Sequence, residues 1–356
     1  MQVLSKSQST QVNKGPVFGH PEFDQHEKVV FAHDVKSGLY SIIAVHDTRL
    51  GPALGGCRMW PYRDSGEALT DALRLSRGMT YKNALAGLDY GGGKAVIIGD
   101  PGTHKSPELL QAFGRKIDTL GGLYITGEDV GLTPADMETI AHTTDHVRGT
   151  AQHQRGDPSP YTALGVFVGM QAALAYSTGS PELAGKKVSI QGLGNVGFAL
   201  AGYLHAAGAQ LLVSDINRDT VERSVRAFDA KAVDSADAHK VEADIFAPCA
   251  LGAGLNTNTI PELGASIVAG SANNQLANPK DGKALAKHGV LYAPDYVINA
   301  GGVIALAKGD VDEALLKADI YHIGDTLAEI FKRSGAEKEA TNVIADRMAE
   351  ERLASV

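Results

Sequence analysis

Two cysteines, Cys57 and Cys249, are all that 356 residues contain. That is too few for a disulfide framework, and neither sits in the C-x-x-C spacing that holds zinc. A reducing compartment, the cytoplasm, is the expected location. A basic excess is missing as well. Lys and Arg number 33 against 41 Asp and Glu, for a net charge of −8. With no long basic run either, general attraction to nucleic-acid phosphates is excluded. No apolar run approaches the ~18 residues of a spanning helix. The most apolar stretch, VLYAPDYVINAGGVIAL, is broken by Pro294, Asp295 and Asn299, and MQVLSKSQSTQVNKG has no apolar core of the signal-peptide kind. Neither a secreted nor a membrane-spanning protein is expected.

Glycine, in contrast, is plentiful: 41 copies, well above the ~7% of an average chain. The glycines form short clusters at the ends of apolar runs, as backbone-lined small-molecule sites do. Hydrophobic residues at 44% and charged residues at 21% are those of an ordinary globular protein, and the length fits two domains at ~150 residues each.

Residues 1–16 are polar and read as a mobile extension. The β-branched stretches 29–34 and 39–47, separated by Lys36-Ser37-Gly38, predict a hairpin. From Ser65, apolar residues at Ala68, Leu69, Ala72, Leu73 and Met79 fall at helical spacing, which predicts a long helix with one apolar face. A strand (AVIIGD), a helix opened by Ser106-Pro107, a strand (LYIT) and a short helix opened by Thr133-Pro134 complete an α/β unit. After Asp157-Pro158 a helix leads into alternating strands and helices, the pattern of a parallel sheet with right-handed crossovers. The segment from Asp310 is charged and helical, and is expected to pack back across the first unit. The expected fold is therefore α/β with two domains, a substrate and oligomerisation domain (1–148 with about 325–356) and a Rossmann-type domain (149–324).

Within the second unit, Gly192, Gly194 and Gly197 form G-x-G-x-x-G after a strand and at the mouth of a helix, with Asp215 at the end of the next strand. The first glycine permits the sharp turn, the second a close approach of backbone N–H groups to a pyrophosphate, and the third close helix packing. Strand, helix, second strand and acid all being in place makes this a dinucleotide site, with Asn195, Val196 and Ile216 beside it, more than a structural glycine turn. The Asp215 carboxylate suits ribose hydroxyls and repels a 2′-phosphate, which favours NAD; Arg218 works against that preference.

Chemistry is concentrated in residues 50–130. LGPALGG (50–56) offers backbone amides, GMTYK places Lys82 beyond Met79 on one helix face, GGGK presents Lys94, and TGEDVG offers Glu128 and Asp129. A lone lysine is ordinarily a solvated surface cation. GGGK is no phosphate loop, since Ala95 stands where Ser or Thr is needed. Two lysines side by side in a cleft differ from one: the first can hold a carboxylate, and the second, depressed by its neighbour and by burial, can act as a base. His142 and His146 are spaced i, i+4 but lack the glutamate of H-E-x-x-H, so they read as solvated helix residues and no metal is expected.

The segments HDTRLGPALGGCRMW, DALRLSRGMTYKNALAGLDYGGGKAVIIGDP, YITGEDVG, GDPSPYTALGVF, QGLGNVG, FAPCALG, AGSANNQL and YAPDYVINAGGVI, in this order, resemble the leucine, phenylalanine and valine dehydrogenase branch of the amino-acid dehydrogenases. The resemblance implies oxidation of a branched-chain L-amino acid by NAD. Hydride leaves Cα, an iminium forms, water adds, and ammonia departs to leave a 2-oxo acid. It also implies that Lys82 pairs with the substrate carboxylate, that Lys94 activates water and handles protons, and that Asp129 is its acid/base partner. Gly55, Gly56 and Asn274 would meet the substrate; Thr162, Cys249, Ala250 and Asn274 would lie near the nicotinamide. Simpler alternatives are a helix cap for Asp129 and Asn274 and a helix-start role for Thr162.

By the same resemblance Leu54, Met79, Gly127, Val303 and Leu306 line the side-chain pocket. Gly127 stands where leucine-acting relatives carry alanine and aromatic-acting ones glycine, so an aromatic substrate, phenylalanine or tryptophan, is the competing expectation. A non-catalytic dinucleotide sensor is the remaining one, disfavoured by Lys82, Lys94 and Asp129 occurring together. The family implies a homo-oligomer. The N-terminal extension, a shortened loop at Lys308-Gly309-Asp310 and the ending at Val356 leave both a dimer and an octamer open.

Overall fold

The structure, a computed structural model, describes residues 15–150 and 157–356. The expected extension lies outside the described residues as far as residue 14. A single helical turn, α1 (Gly15–Phe18), precedes the hairpin of β1 (Lys28–Asp34) and β2 (Leu39–Asp47), which pair antiparallel with Phe31 opposite Ile42. Then follow β3 (Ala53–Leu54), β4 (Cys57–Trp60), α2 (Ser65–Leu85), β5 (Gly91–Ile98), α3 (Pro107–Asp118), β6 (Tyr124–Ile125) and α4 (Pro134–Ala141). The six strands form one mixed sheet in the order β1-β2-β5-β3-β6, with β4 continuing along the β5 edge that β3 begins.

Helices cover this sheet on both faces, which is why β2 reads as a continuous apolar run. Ile43 and Val45 pack with Ala95, Ile97 and the α3 residues Leu109, Phe113 and Ile117, while Ile42 and Ala44 pack with Val96 and the α2 residues Ala68, Leu69, Ala72 and Leu73. Each of these helix starts is capped: Asp64 accepts from Glu67 N, Ser106 from Leu109 N, and Thr133 with Asp136 forms a capping box on α4. α4 ends at Ala141, with His142 as its cap. His142 and His146 therefore do not share a helix face, contrary to the spacing argument.

The second sheet is built from β7 (Lys187–Gln191), β8 (Gln210–Ser214), β9 (Lys231–Ala232), β10 (Ala243–Pro248), β11 (Ala265–Val268) and β12 (Leu291–Tyr292). All its pairs are parallel, in the order β12-β11-β10-β7-β8-β9. The helices of this part are α5 (Ser159–Thr178), α6 (Asn195–Ala206), α7 (Arg218–Phe228), α8 (Asp281–Lys287), α9 (Asp295–Ile298), α10 (Gly301–Lys308), α11 (Glu313–Glu337) and α12 (Thr341–Ala354). The expectation for the C-terminal segment needs correcting for α11. Its Leu316, Ile320, Ile323, Leu327, Ile330 and Phe331 are buried in the core of the second sheet with α5. The return to the first sheet is made by α12, whose Ala349 and Leu353 pack on Tyr81 and Ala84 of α2. There Arg352 Nη1 donates to Ala84 O at 2.7 Å and Nη2 to Leu88 O at 3.2 Å, satisfying carbonyls at and just beyond the end of α2.

Candidate active site

GGGK is part of β5 itself, four residues ahead of the start that the apolar run indicates. Its glycines let α2 approach: a β-carbon on Gly92 would collide with Thr80 of that helix. Asn83 of α2 locks the contact, donating to Gly91 O at 2.6 Å and to Leu54 O at 3.3 Å. Lys82 is thereby held at the end of α2, and Lys94, 6% exposed, two strand positions beyond Gly92.

Between β5 and the segment 123–130 runs the chain of β3 and β4, separated by Gly55 and Gly56. Gly55 N donates to Ile125 O at 3.1 Å and Cys57 N to Gly127 O at 2.9 Å. A β-carbon on Gly56 would stand 2.6 Å from Glu128 O and 3.1 Å from Asp129 Cβ. With no side chain in that gap, Lys94 Nζ reaches over the middle strand and donates to Asp129 Oδ2. Thr133 caps α4, which removes the capping alternative for Asp129.

Arg58 of β4 meets the same carboxylate, its Nε 3.4 Å from Asp129 Oδ2, while its Nη1 donates to Asp71 Oδ2 at 2.9 Å. Burial alone would raise the Asp129 carboxyl, but the Lys94 and Arg58 charges outweigh it and hold the group down at about 2. Lys82 is half-buried and has no ion-pair partner among the described residues. Burial and the Lys94 charge bring it down to about 8, against the pull of Asp295 and Asp129. Asp295 comes from the second sheet's side, where its carboxylate accepts from Gln275 N at 3.2 Å and Tyr292 Oη at 3.3 Å. Burial raises the Asp295 carboxyl, with the Gln275 N–H and the Lys82 charge opposing.

Of the residues expected to line a side-chain pocket, Leu54, Met79, Gly127 and Leu306 lie on or against the strands that carry this centre. Met79 Cγ would lie 3.2 Å from a β-carbon on Gly55, and Leu54 is fully buried beneath. From α10, Leu306 Cδ2 stands 3.3 Å from the position of a Gly127 β-carbon. Val303 is partly buried on the same helix, against the second core. Asn274 is exposed and holds a left-handed backbone, φ 53°, beside Asn273, which accepts from Asn299 Nδ2 at 2.7 Å.

In the second sheet, Gly192 has φ 100°, and a β-carbon there would meet Ala250 N at 2.8 Å. Gly197 packs against the Gly192 carbonyl, and a β-carbon on it would lie 3.4 Å from Cys249 Cβ. The ends of β7 and β10 are thus brought together. Gly194 is exposed with open space where a β-carbon would go, at the start of α6 with Asn195 and Val196. Asp215 Oδ2 accepts from Leu193 N at 2.6 Å and Oδ1 from Asn217 N at 2.8 Å, so the carboxylate fastens the glycine turn and keeps lone pairs to spare. Ile216, 97% exposed, projects next to it. Thr162 of α5 lies against Gly302 at the start of α10, where a β-carbon would be 2.5 Å from its Oγ1.

This arrangement has known counterparts. Residues 26–146 match the dimerisation domain of the Glu/Leu/Phe/Val dehydrogenases, and residues 157–218 and 212–311 match the Glutamate/Leucine/Phenylalanine/Valine dehydrogenase domain. The chain belongs to this dehydrogenase family. It is 53% identical to the leucine dehydrogenase of Geobacillus stearothermophilus over 342 residues, 95% of this chain and 93% of that one. To an L-tryptophan dehydrogenase of Nostoc punctiforme it is 48% identical over 331 residues, covering 92% and 93%. The crystal structure of L-tryptophan dehydrogenase from Nostoc punctiforme superposes with a TM-score of 0.82 at 47% identity, covering 93% of this chain and 96% of that one. As a member of the family the chain is an amino-acid dehydrogenase acting on a CH–NH2 group, of the nicotinamide-dinucleotide-dependent type. The match to a dimerisation domain makes an oligomer the expected assembly. Among the described residues no helix is long and apolar enough to cross a membrane.

Sequence reasoning misses Arg58, Asp71 and Asp295 in this dehydrogenase. Arg58 lies in one of the quoted segments, but an ion pair between separate elements leaves no period in the sequence. Asp295, which like Asp71 also lies in a quoted segment, shows there as an interruption of an apolar run, with no sign of what it faces.

Proposed function

We propose that this chain catalyses the reversible NAD-dependent oxidative deamination of a branched-chain L-amino acid to the 2-oxo acid and ammonia. The observation that carries it is the pairing of buried Lys94 with Asp129 beside a second, unpaired lysine, Lys82. The relatives' leucine substrate, at about half the residues identical, sets the substrate class.

Lys82 is positioned to hold the substrate carboxylate, and a bound carboxylate offsets the burial that lowers it. Gly55 and Gly56, one buried and one half-buried, would offer main-chain groups to the substrate without a side chain in the way, Asp295 acts on Lys82 from the second unit, and Asn274 would meet the substrate from the same side. Lys94 takes a proton from the attacking water and passes protons to the departing nitrogen, with Asp129 as its partner. The turn Gly192–Gly197, with the open position at Gly194, fits a dinucleotide pyrophosphate; Asp215 and Ile216 flank the adenosine end, and Thr162, Cys249 and Ala250 the nicotinamide end. When bound, the oxidised nicotinamide supplies the hydride acceptor. Asp215 favours NAD by repelling a 2′-phosphate.

Gly127 favours a second reading, an aromatic substrate, because the missing methyl leaves room against Leu306. A homo-oligomer, a dimer or an octamer, is the working assembly, and the dehydrogenase is cytoplasmic. The decisive experiment follows NADH absorbance at alkaline pH with NAD and a panel of amino acids. Turnover of leucine, isoleucine and valine ahead of phenylalanine and tryptophan is expected; no turnover with any amino acid refutes the reading.

A further inference from the structure

The carboxylate of Asp129 stands between two cations of different kinds. Lys94, from β5, can release a proton; Arg58, from β4, cannot. Arg58 is shared in turn with Asp71 of α2, whose Oδ1 accepts from Arg74 Nε at 2.9 Å and Nη2 at 2.7 Å, and whose Oδ2 accepts from Tyr62 Oη at 2.8 Å. Charges alternate along the row Lys94, Asp129, Arg58, Asp71, Arg74. Only Arg74, with 43% of its side chain exposed, reaches water freely; the side chains of Arg58 and Asp71 are 22% and 12% exposed.

We propose that Arg58 is a positioning residue for the reaction, holding Asp129 ionised and aimed at Lys94 while the proton leaves, with Asp71 setting how much of the Arg58 charge Asp129 receives. The proposal rests on the reading of Lys94 and Asp129 as the proton-handling pair. Without Arg58, loss of the proton from the pair would strand a carboxylate in a largely buried position, so the pair would keep its proton to higher pH. With Arg58, Asp129 remains neutralised whether or not Lys94 carries a proton.

The other groups facing the pair do not supply this. Cys57 on β4 and Tyr124 on β6 are pushed up by burial and stay neutral. Burial raises Glu128, next to Asp129 in the chain, and the Asp157 and Asp129 charges add to the rise. Lys82 on α2 is set aside for the substrate carboxylate. Among the described residues Arg58 is the one permanent cation in contact with Asp129.

The test is the pH profile of kcat/KM for leucine with NAD, measured on the assembled enzyme for wild type, Arg58→Met, Arg58→Lys and Asp71→Asn, with thermal melting and NADH binding as checks of folding. Arg58→Met should move the acidic limb up by about 1 pH unit, the scale of one close charge. Arg58→Lys should leave the limb in place while lowering kcat, because an ammonium cannot span both carboxylates. Asp71→Asn should move the limb down, since Asp129 then receives more of the Arg58 charge. A folded Arg58→Met with an unmoved limb overturns the proposal, as do Arg58→Met and Asp71→Asn shifts of the same sign. If Arg58→Met does not fold, Asp71→Asn decides alone: a lowered limb supports the proposal and an unmoved one overturns it. Failure of the underlying reading is visible separately, as retained turnover in Lys94→Ala.

Discussion

Leu306 closes over Gly127: an added β-carbon would sit 3.3 Å from Leu306 Cδ2, tight enough to displace that methyl by a few tenths of an ångström. The side chain is flexible, so Gly127→Ala should fold and narrow the pocket. We expect the Phe/Leu ratio of kcat/KM to fall by about 10-fold, the lower end of one methylene's worth of discrimination. Steady-state kinetics with both amino acids checks it; an unchanged ratio means that Gly127 does not face the substrate.

The two lysines should separate kinetically. Lys94→Ala removes the proton acceptor, and kcat should drop by at least ~10²-fold, while NADH binding measured by fluorescence persists. Lys82→Ala removes the free cation, and KM for the amino acid should rise by roughly 10- to 100-fold, the scale of a charged hydrogen bond. Near-normal kcat in the first variant, or an unchanged KM in the second, would reverse the respective assignment.

Asp215→Ser should weaken the preference for NAD. The wild-type carboxylate both repels a 2′-phosphate and accepts from Leu193 N, so two effects change together. The ratio of kcat/KM for NADP to that for NAD should rise by about 10-fold. Equal use of both cofactors by the unmodified enzyme would mean that Arg218 dominates.

Acid should destabilise the protein through a buried histidine pair. His46 Nδ1 shares a hydrogen bond with Thr80 Oγ1 at 2.8 Å, and its ring stacks edge-on against His26, ring centroids 4.8 Å apart. Burial, with the His26 charge adding, brings His46 from 6.5 down to about 4. Between those two pH values the unfolded chain binds the proton and the folded one does not, so stability present above pH 6.5 is lost as pH falls towards 4. The loss is on the order of 2–3 kcal/mol. Denaturant midpoints recorded from pH 7 to 4 should decline in wild type and flatten in His46→Gln; equal slopes would dismiss the histidine.

Much of the second sheet is legible in the amino-acid sequence, because its signals are local. Gly192, Gly194, Gly197 and Asp215 fall within one strand-turn-helix-strand unit; in the first sheet the hairpin of β1 and β2 is equally local, marked by β-branched residues and Lys36-Ser37-Gly38. GGGK is harder. Three glycines argue against a strand, and only their close contacts, Gly91 with Asp47 O, Gly92 with Thr80 and Gly93 with the Tyr124 ring, explain why β5 begins there. Arg58 is invisible for a related reason: what matters about it is the simultaneous reach to Asp129 and Asp71 on other elements, which no spacing encodes. The C-terminal helices are half legible. Their charge and composition mark α11 and α12 as helices, but not that α11 buries its apolar side against α5, touching α2 through Thr326 Oγ1 and Leu85 O, while α12 packs on Tyr81 and Ala84 of α2.

Arg352 completes the end of α2 from 268 residues further along the chain. At ~5–20 residues per second of synthesis, the guanidinium follows the Ala84 carbonyl by roughly 13 to 54 s. Through that interval the Tyr81 and Ala84 face of α2 lacks the cover of Ala349 and Leu353, and the Arg352 hydrogen bonds to Ala84 O and Leu88 O are missing. The helix that carries Lys82 is therefore made early and receives its full packing only once α12 has been synthesised.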